Sequence, residues 1–351
     1  VIGASLLGLR RRDQDFRQGL VLAAVDDLET RQETYPLRAG IMPMVDQPHR
    51  RRRFGFRNAA GTPLTIDLDA GNEGVAFRYG FPDVQDDVQT ILTEVTEFRV
   101  GLGAQGWLQP YNNASHYSPA YEDYYFAVKP GDRPPNSRGG ATRGWSLPAL
   151  FNIASANAWV LLSESGTDGN YCGCHLSSLS GDGAYRVEFP FNDEGTKDIT
   201  HRPGTEPRHT LPWTLPWRII VIGDTPADIL TSTLITDMAP PNRIGDLSWI
   251  KPGRASWNWW SYPDGPFTEE LYAEFIRMAQ AYGWEYSLLD AGWWNCDMDK
   301  LGAIARQDQV TLLGWTHASS FYTAKNRQAK LDEISGDGAM GAKIDFWCTD
   351  R

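Results

Sequence analysis

Four short segments in the last third of the chain concentrate the residue types that chemistry needs: Trp257-Asn-Trp-Trp260, Asp290-Ala-Gly-Trp-Trp294, Trp315-Thr-His317 and Lys343-Ile-Asp345. Each closes a run with strand character. Side chains two apart on a strand share a face, so Lys343 and Asp345 point one way and Ile344 the other, towards a helical layer. An ammonium beside a carboxylate favours its ionised form, as a carboxylate that attacks carbon requires. Asp345 is therefore the candidate nucleophile and Lys343 its supporting charge. Asp290, flanked by Trp293 and Trp294, suits accepting hydrogen bonds from hydroxyls, and His317 is a candidate donor to one. Trp257 and Trp259, with Trp293 and Trp294, offer flat apolar faces. Such faces beside carboxylates fit sugars, whose apolar C–H surfaces are ringed by hydroxyls. The composition agrees, with 14 Trp and 12% aromatic residues. One Asp at a strand end is more often ordinary packing than chemistry; four chemically rich ends in succession carry the reading.

The elements that must position these residues alternate. The pattern predicts a strand over 255–260 and a helix over 268–282. Thr268 is the helix N-cap, Glu269 and Glu270 lie in its positive first turn, and Gly283 is its stop. Leu271, Phe275, Met278, Ala279 and Tyr282 form the predicted buried face. A strand over 286–290, a helix around 298–306, a strand over 311–315, a helix around 329–334 and a strand over 342–346 follow. Strand and helix in alternation indicate a parallel sheet, in a barrel or an open form. If it is a barrel, the C-terminal strand ends are where an active site lies.

Residues 1–245 read differently, as short alternating runs broken by Gly, Pro, Asn and Asp. The runs 64–68, 74–79, 158–162 and 218–222 have strand composition, which predicts a β-sandwich. Pro240-Pro241 opens a linker that reaches Ile250. The expected organisation is thus a sandwich over 1–245 and βα units over 246–351.

Charge narrows the partners. With 44 Asp+Glu against 33 Lys+Arg and a formal charge of -11, the chain lacks the cationic surface a nucleic-acid partner needs. The one basic run, His49 to Arg53, reads as a solvated strand or loop edge. Cys172-Gly-Cys174-His175 has zinc-ligand character, but Cys296 and Cys348 do not supply a second pair at ligand spacing. No run approaches the roughly 18 apolar residues of a membrane span. Val1 is not an initiator Met and the chain opens inside a strand-like run, so a leader peptide is expected outside it.

A resemblance follows from the motifs taken in order. Asn72-Glu-Gly-Val-Ala-Phe-Arg-Tyr79, Tyr111-Asn-Asn113 with Tyr121-Glu-Asp-Tyr124, Leu215-Pro-Trp-Arg218, Trp249-Ile-Lys-Pro-Gly253, Leu289-Asp-Ala-Gly-Trp293 and Lys343-Ile-Asp-Phe346 are similar to glycoside hydrolase family 97. The resemblance implies an N-terminal β-sandwich followed by the first half of a (β/α)8 TIM barrel, 246–351 being its first four βα units. It implies a secreted or periplasmic bacterial enzyme acting on α-glycosides. Asp in the Lys-x-Asp motif marks the retaining branch, in which Asp345 forms a covalent glycosyl-enzyme intermediate, with α-galactosidase favoured and α-glucosidase the alternative. The acid/base of that mechanism, a Glu on later barrel strands, is expected beyond Arg351, so residues 1–351 alone are expected not to hydrolyse substrate. The resemblance further implies a calcium ion held by several Glu side chains, of which Glu122 is the one contributed by the sandwich. A non-catalytic carbohydrate-binding protein is the competing reading from another class.

Overall fold

The computed structural model describes residues 1–115, 117–136, 142–194 and 205–350. They divide into two compact units: residues 1–194, 205–245 and 348–350 form one, and Asp246–Trp347 the other. The chain is mostly β-sheet with a few helices.

The first unit is a sandwich of a twelve-stranded and a five-stranded sheet. Alternation drives it: in Ala158–Ser165, Val160 and Leu162 are fully buried while their neighbours are not. Their side chains join Phe77 and Phe151 of the large sheet with Phe98, Leu176 and Tyr185 of the small one in a single core. Ring contacts of 5.0 Å between Phe151 and Tyr185 and 6.5 Å between Phe77 and Phe98 link the sheets. The unbroken apolar run at 219–222 has its own reason. Strand Trp217–Gly223 buries Ile220 in that core and Ile219 and Val221 in a second cluster with Leu234 and Met238. A strand covered on both faces needs no polar alternation.

The basic run corrects an expectation. His49 to Arg53 lies within strand Met44–Arg57, which pairs with Glu29–Pro36 on one side and Pro63–Gly71 on the other, so it is not a solvated edge. His49 is 2% exposed and sits between Asp69 (Nδ1, 2.7 Å) and Asp237 (Nε2, 3.2 Å). Arg51 pairs with Asp69 at 2.8 Å and Arg53 with Asp67 at 2.6 Å. Three of the run's five basic residues, His49, Arg51 and Arg53, are thus matched by carboxylates of the unit's own strands and helices.

In the second unit four parallel strands stand in sequence order: Ala255–Trp257, Tyr286–Leu289, Thr311–His317 and Gly341–Asp345. Helices Glu269–Ala281, Met298–Gln307 and Ala324–Gly336 connect them. The first strand is shorter than predicted because the chain turns at Asn258, whose carbonyl accepts the Ser261 and Tyr262 N–H groups. The first helix begins as expected, with Thr268 Oγ1 accepting the Leu271 N–H. Its buried face agrees with the prediction at Leu271 and Ala279 but is rotated between them: Tyr272 and Ile276 enter the core in place of Phe275 and Met278, and Tyr282 is 67% exposed and stacks on Trp284. Tyr272 sets the rotation, its hydroxyl donating to the carbonyls of Asp290 and Ala291 at 2.9 Å each. The third helix starts five residues before the predicted 329, capped by Thr323, because its first turns are polar and carry no apolar period.

A candidate active site at the ends of the parallel strands

Register places the chemistry. Trp257 pairs with Leu288, Trp315 with Lys343, and His317 with Asp345. Partners in a parallel pair point to the same side and the pleat repeats every two residues, so Trp257, Asp290, Trp315, His317, Lys343 and Asp345 share one face. The opposite face, with Leu289, Leu312 and Ala342, packs against the helices.

Lys343 is the centre of the cluster. Its Nζ lies 3.0 Å from Asp290 Oδ2 and 3.1 Å from Asp345 Oδ2, and 4.3 Å from the centroid of the Trp257 ring. Trp257 Nε1 donates to Asp290 Oδ2 at 2.5 Å and the Ala291 N–H to Asp290 Oδ1 at 2.7 Å. Asp345 is held in the same way: Trp315 Nε1 donates to Oδ2 and the Phe346 N–H to Oδ1, both at 2.9 Å. Exposure separates the two carboxylates. The Asp290 side chain is 3% exposed and that of Asp345 is 25% exposed, so an incoming molecule can reach Asp345. One ammonium between two carboxylates leaves the cluster net negative, which suits a reaction that builds positive charge.

The remaining candidates are spread around this centre. His317 Nδ1 faces the Ser319 N–H and hydroxyl at 3.1 and 2.9 Å, and its ring is 5.8 Å from Phe346. Trp294 is 54% exposed and tilted against Trp315 at 6.0 Å. Trp259 is half-buried and stacked on Phe267 at 5.8 Å. Trp293 is a core residue, its indole N–H donating to the Trp315 carbonyl at 2.8 Å. Thus the structure gathers Trp257, Asp290, Lys343 and Asp345 directly, brings His317 and Trp294 alongside, and keeps Trp293 inside the core. Trp315 was legible only as part of a strand end. The signal that finds it is register, since it stands opposite Lys343 and on the same face as Asp345.

Glu122, in the first unit, is an exposed side chain. Among the described residues no three His, Cys, Asp or Glu side chains are grouped to hold a metal ion. Another strong electrostatic feature of that unit is structural in form: Arg218, 2% exposed, donates to both oxygens of Glu94 (2.9 and 2.6 Å) and to Glu164 (2.6 Å). Burial opposes the charge of Glu94, but the guanidinium outweighs it and holds the carboxyl below its ordinary range. Cys174 is part of the same packing, accepting from Arg218 at 3.3 Å. No helix is long and apolar enough to cross a membrane among the described residues.

Known proteins place this architecture. The family model for the glycosyl-hydrolase 97 N-terminal domain matches residues 1–241. A probable retaining alpha-galactosidase of Streptomyces bingchenggensis (strain BCW-1) is 28% identical over 363 residues, covering 99% of this chain and 52% of that protein. The retaining alpha-galactosidase of Bacteroides thetaiotaomicron is 30% identical over 319 residues, covering 80% of this chain and 46% of its own length. The crystal structure of a beta-arabinopyranosidase superposes with a TM-score of 0.88 at 28% identity, covering 100% of this chain and 57% of that one. The chain spans about half the length of the curated relatives it matches. With the family model covering most of its residues, the chain belongs to glycoside hydrolase family 97.

Proposed function

We propose that the chain works in a retaining α-glycoside hydrolase, with α-galactosides the favoured substrates, Asp345 the nucleophile and Lys343 its supporting charge. The observation that carries the reading is the reachable Asp345 carboxylate, oriented by two N–H donors and an ammonium on the aromatic-lined face of the parallel sheet. In the double displacement, Asp345 attacks the anomeric carbon while a carboxylic acid about 5 Å away protonates the departing oxygen. Asp290 is not that acid: its side chain is buried and tied to Trp257, Lys343 and the Ala291 N–H. The resemblance assigns the acid to a Glu outside these residues. Asp290 instead fixes Lys343, and the net negative cluster favours the oxocarbenium-like transition state.

The same proposal takes the four parallel strands as the first half of a (β/α)8 barrel, with the substrate at their C-terminal ends. It takes the enzyme as secreted or periplasmic and its substrate as an oligosaccharide or other α-glycoside. A calcium ion with Glu122 among its ligands belongs to the proposal through the resemblance only, and no catalytic step is routed through it. A second reading has its own support, the likeness to a beta-arabinopyranosidase. A β-L-arabinopyranoside has the ring stereochemistry of an α-D-galactoside without the exocyclic CH2OH, so one site of this geometry suits either.

The test uses the intact enzyme. Asp345→Gly should lower turnover of aryl α-galactosides by about a thousandfold or more, and azide should restore it with a β-galactosyl azide as product. Undiminished activity without azide would sink the assignment. Comparing kcat/KM on aryl α-galactosides and aryl β-L-arabinopyranosides decides between the two sugars.

A further inference from the structure

Both aspartates of the cluster sit in the same clamp. In each, Oδ2 accepts an indole N–H from the preceding strand's end and lies beside the Lys343 ammonium, hydrogen-bonded at 3.0 Å in Asp290 and ion-paired at 3.1 Å in Asp345, while Oδ1 accepts one N–H, that of the next residue. A carboxylate oxygen has two in-plane lone pairs. In Asp345, Oδ2 carries the indole hydrogen bond and the charge of the ammonium, whereas Oδ1 carries the Phe346 N–H alone and is the less engaged oxygen. Only the Asp345 clamp is reachable, with a quarter of the side chain exposed against 3% for Asp290.

We propose that Trp315 is the positioning residue of the nucleophile, its indole N–H fixing Asp345 Oδ2 so that Oδ1 is the oxygen that attacks the anomeric carbon. The inference rests on Asp345 being the nucleophile and deepens that reading to a named atom and a named neighbour. In the glycosylation step the C1–Oδ1 bond forms as the C1–O bond to the aglycone breaks. The aglycone oxygen keeps the bonding pair and takes a proton from the carboxylic acid of the retaining mechanism. Oδ2 becomes the carbonyl oxygen of the ester, still facing Trp315 and Lys343. Water then attacks C1, the C1–Oδ1 bond breaks with its pair returning to the Asp345 carboxylate in the same clamp, and the water's proton passes to the conjugate base of the acid that had protonated the aglycone.

Trp315 is built to hold still. Its ring lies between Trp294 at 6.0 Å, Phe346 at 6.4 Å and His317 at 6.5 Å, and its carbonyl receives the N–H of the core residue Trp293. The Phe346 donor is equally committed. Its φ of 60° is a left-handed conformation uncommon for a bulky residue, at the turn that directs its N–H to Oδ1.

The experiment replaces the N–H without replacing the ring. In the intact enzyme, Trp315 is exchanged site-specifically for benzothienylalanine, whose sulfur stands where the indole N–H was, and separately for Phe (Trp315→Phe). The isostere should lower kcat for aryl α-galactosides by roughly ten- to a hundredfold. The inhibition constant of the product sugar should stay within about twofold. The glycosyl-enzyme trapped with a 5-fluoro-galactosyl fluoride should show the ester through Oδ1. Unchanged kcat in the isostere, a loss carried in KM and product affinity alone, or an ester through Oδ2 would each overturn the inference. Activity of Asp345→Gly without azide is a separate result: it removes the underlying assignment, whereas a normal Trp315 isostere in an enzyme that needs Asp345 removes only this one.

Discussion

Replacing Lys343 by Met tests whether one cation organises the whole cluster. The ammonium is 3.0 Å from Asp290 Oδ2 and 3.1 Å from Asp345 Oδ2. At such separations and an effective dielectric constant near 20, each direct attraction is about 5 kcal/mol before solvation is counted. Net contributions are smaller, roughly 1.5–3 kcal/mol for a hydrogen bond to a charged group. Asp290 bears most of the folding cost, because its buried carboxylate would retain only the Trp257 and Ala291 N–H donors. Removing one partner of a buried pair costs about 3–5 kcal/mol when nothing replaces it, and two remaining donors bring the expectation to about 2 kcal/mol. Catalysis should suffer more, since Asp345 loses orientation and faces Asp290 with no cation between them. A loss of about 3 kcal/mol in transition-state stabilisation is about a hundredfold in kcat/KM. The assay is a comparison of Lys343→Met, Asp290→Asn and the double variant by urea unfolding and by turnover of an aryl α-galactoside. Strong non-additivity is expected, because once Asp290 is neutral its demand for Lys343 is gone. If Lys343→Met unfolds with the wild type and keeps kcat/KM within about threefold, the clamp does not work as argued.

Two further predictions concern the sandwich. His49 is pushed up to about 9 by its hydrogen bonds to Asp237 and Asp69, against the opposing effect of burial. A group raised above its unfolded value stabilises fully below about pH 6.5 and loses that contribution as pH rises through about 9. His49→Leu should therefore destabilise the enzyme by up to about 3 kcal/mol at pH 6, with a gap from wild type that narrows by pH 10 in urea titrations; a pH-independent gap would refute the charged pairing. Arg218→Met should cost about 3–5 kcal/mol near neutral pH, because it strands Glu94 and Glu164 without their cation. With Arg218 present, Glu94 is held below its ordinary range, so its contribution is lost as pH falls through that lowered value. Without the guanidinium, burial of Glu94 is opposed only by its Thr96 and Tyr171 hydrogen bonds, and Glu164, which burial raises already, loses its cation too, so acidification should stabilise the variant. Parallel unfolding curves of the two proteins between pH 4 and 8 would show this model of the network to be wrong.

Much of the architecture could be read from residue order because it depends on local periodicity. Alternating runs such as 158–162 carry a strand's two faces in their own pattern, and Thr268 and Gly283 mark helix ends by side-chain and backbone chemistry alone. The same holds for the two-residue spacing that puts Lys343 and Asp345 on one face. Where a second element sets the outcome, local pattern fails. The first helix turns its Tyr272 side inward because that hydroxyl finds the carbonyls of Asp290 and Ala291, a contact no helical period contains. In the basic run at 49–53, His49, Arg51 and Arg53 are paired with carboxylates fourteen or more residues away in sequence, at Asp67, Asp69 and Asp237.

The nucleophile candidate itself divides along the same line. Its type, its lysine and its strand-end position are properties of three consecutive residues, so the sequence by itself determined them. Which carboxylate an incoming molecule reaches, which oxygen is less engaged and which tryptophan holds it were decided by tertiary structure. Burial and hydrogen-bond direction belong to strands brought side by side: Trp315 meets Asp345 only because parallel pairing sets Thr311–His317 against Gly341–Asp345 in that register.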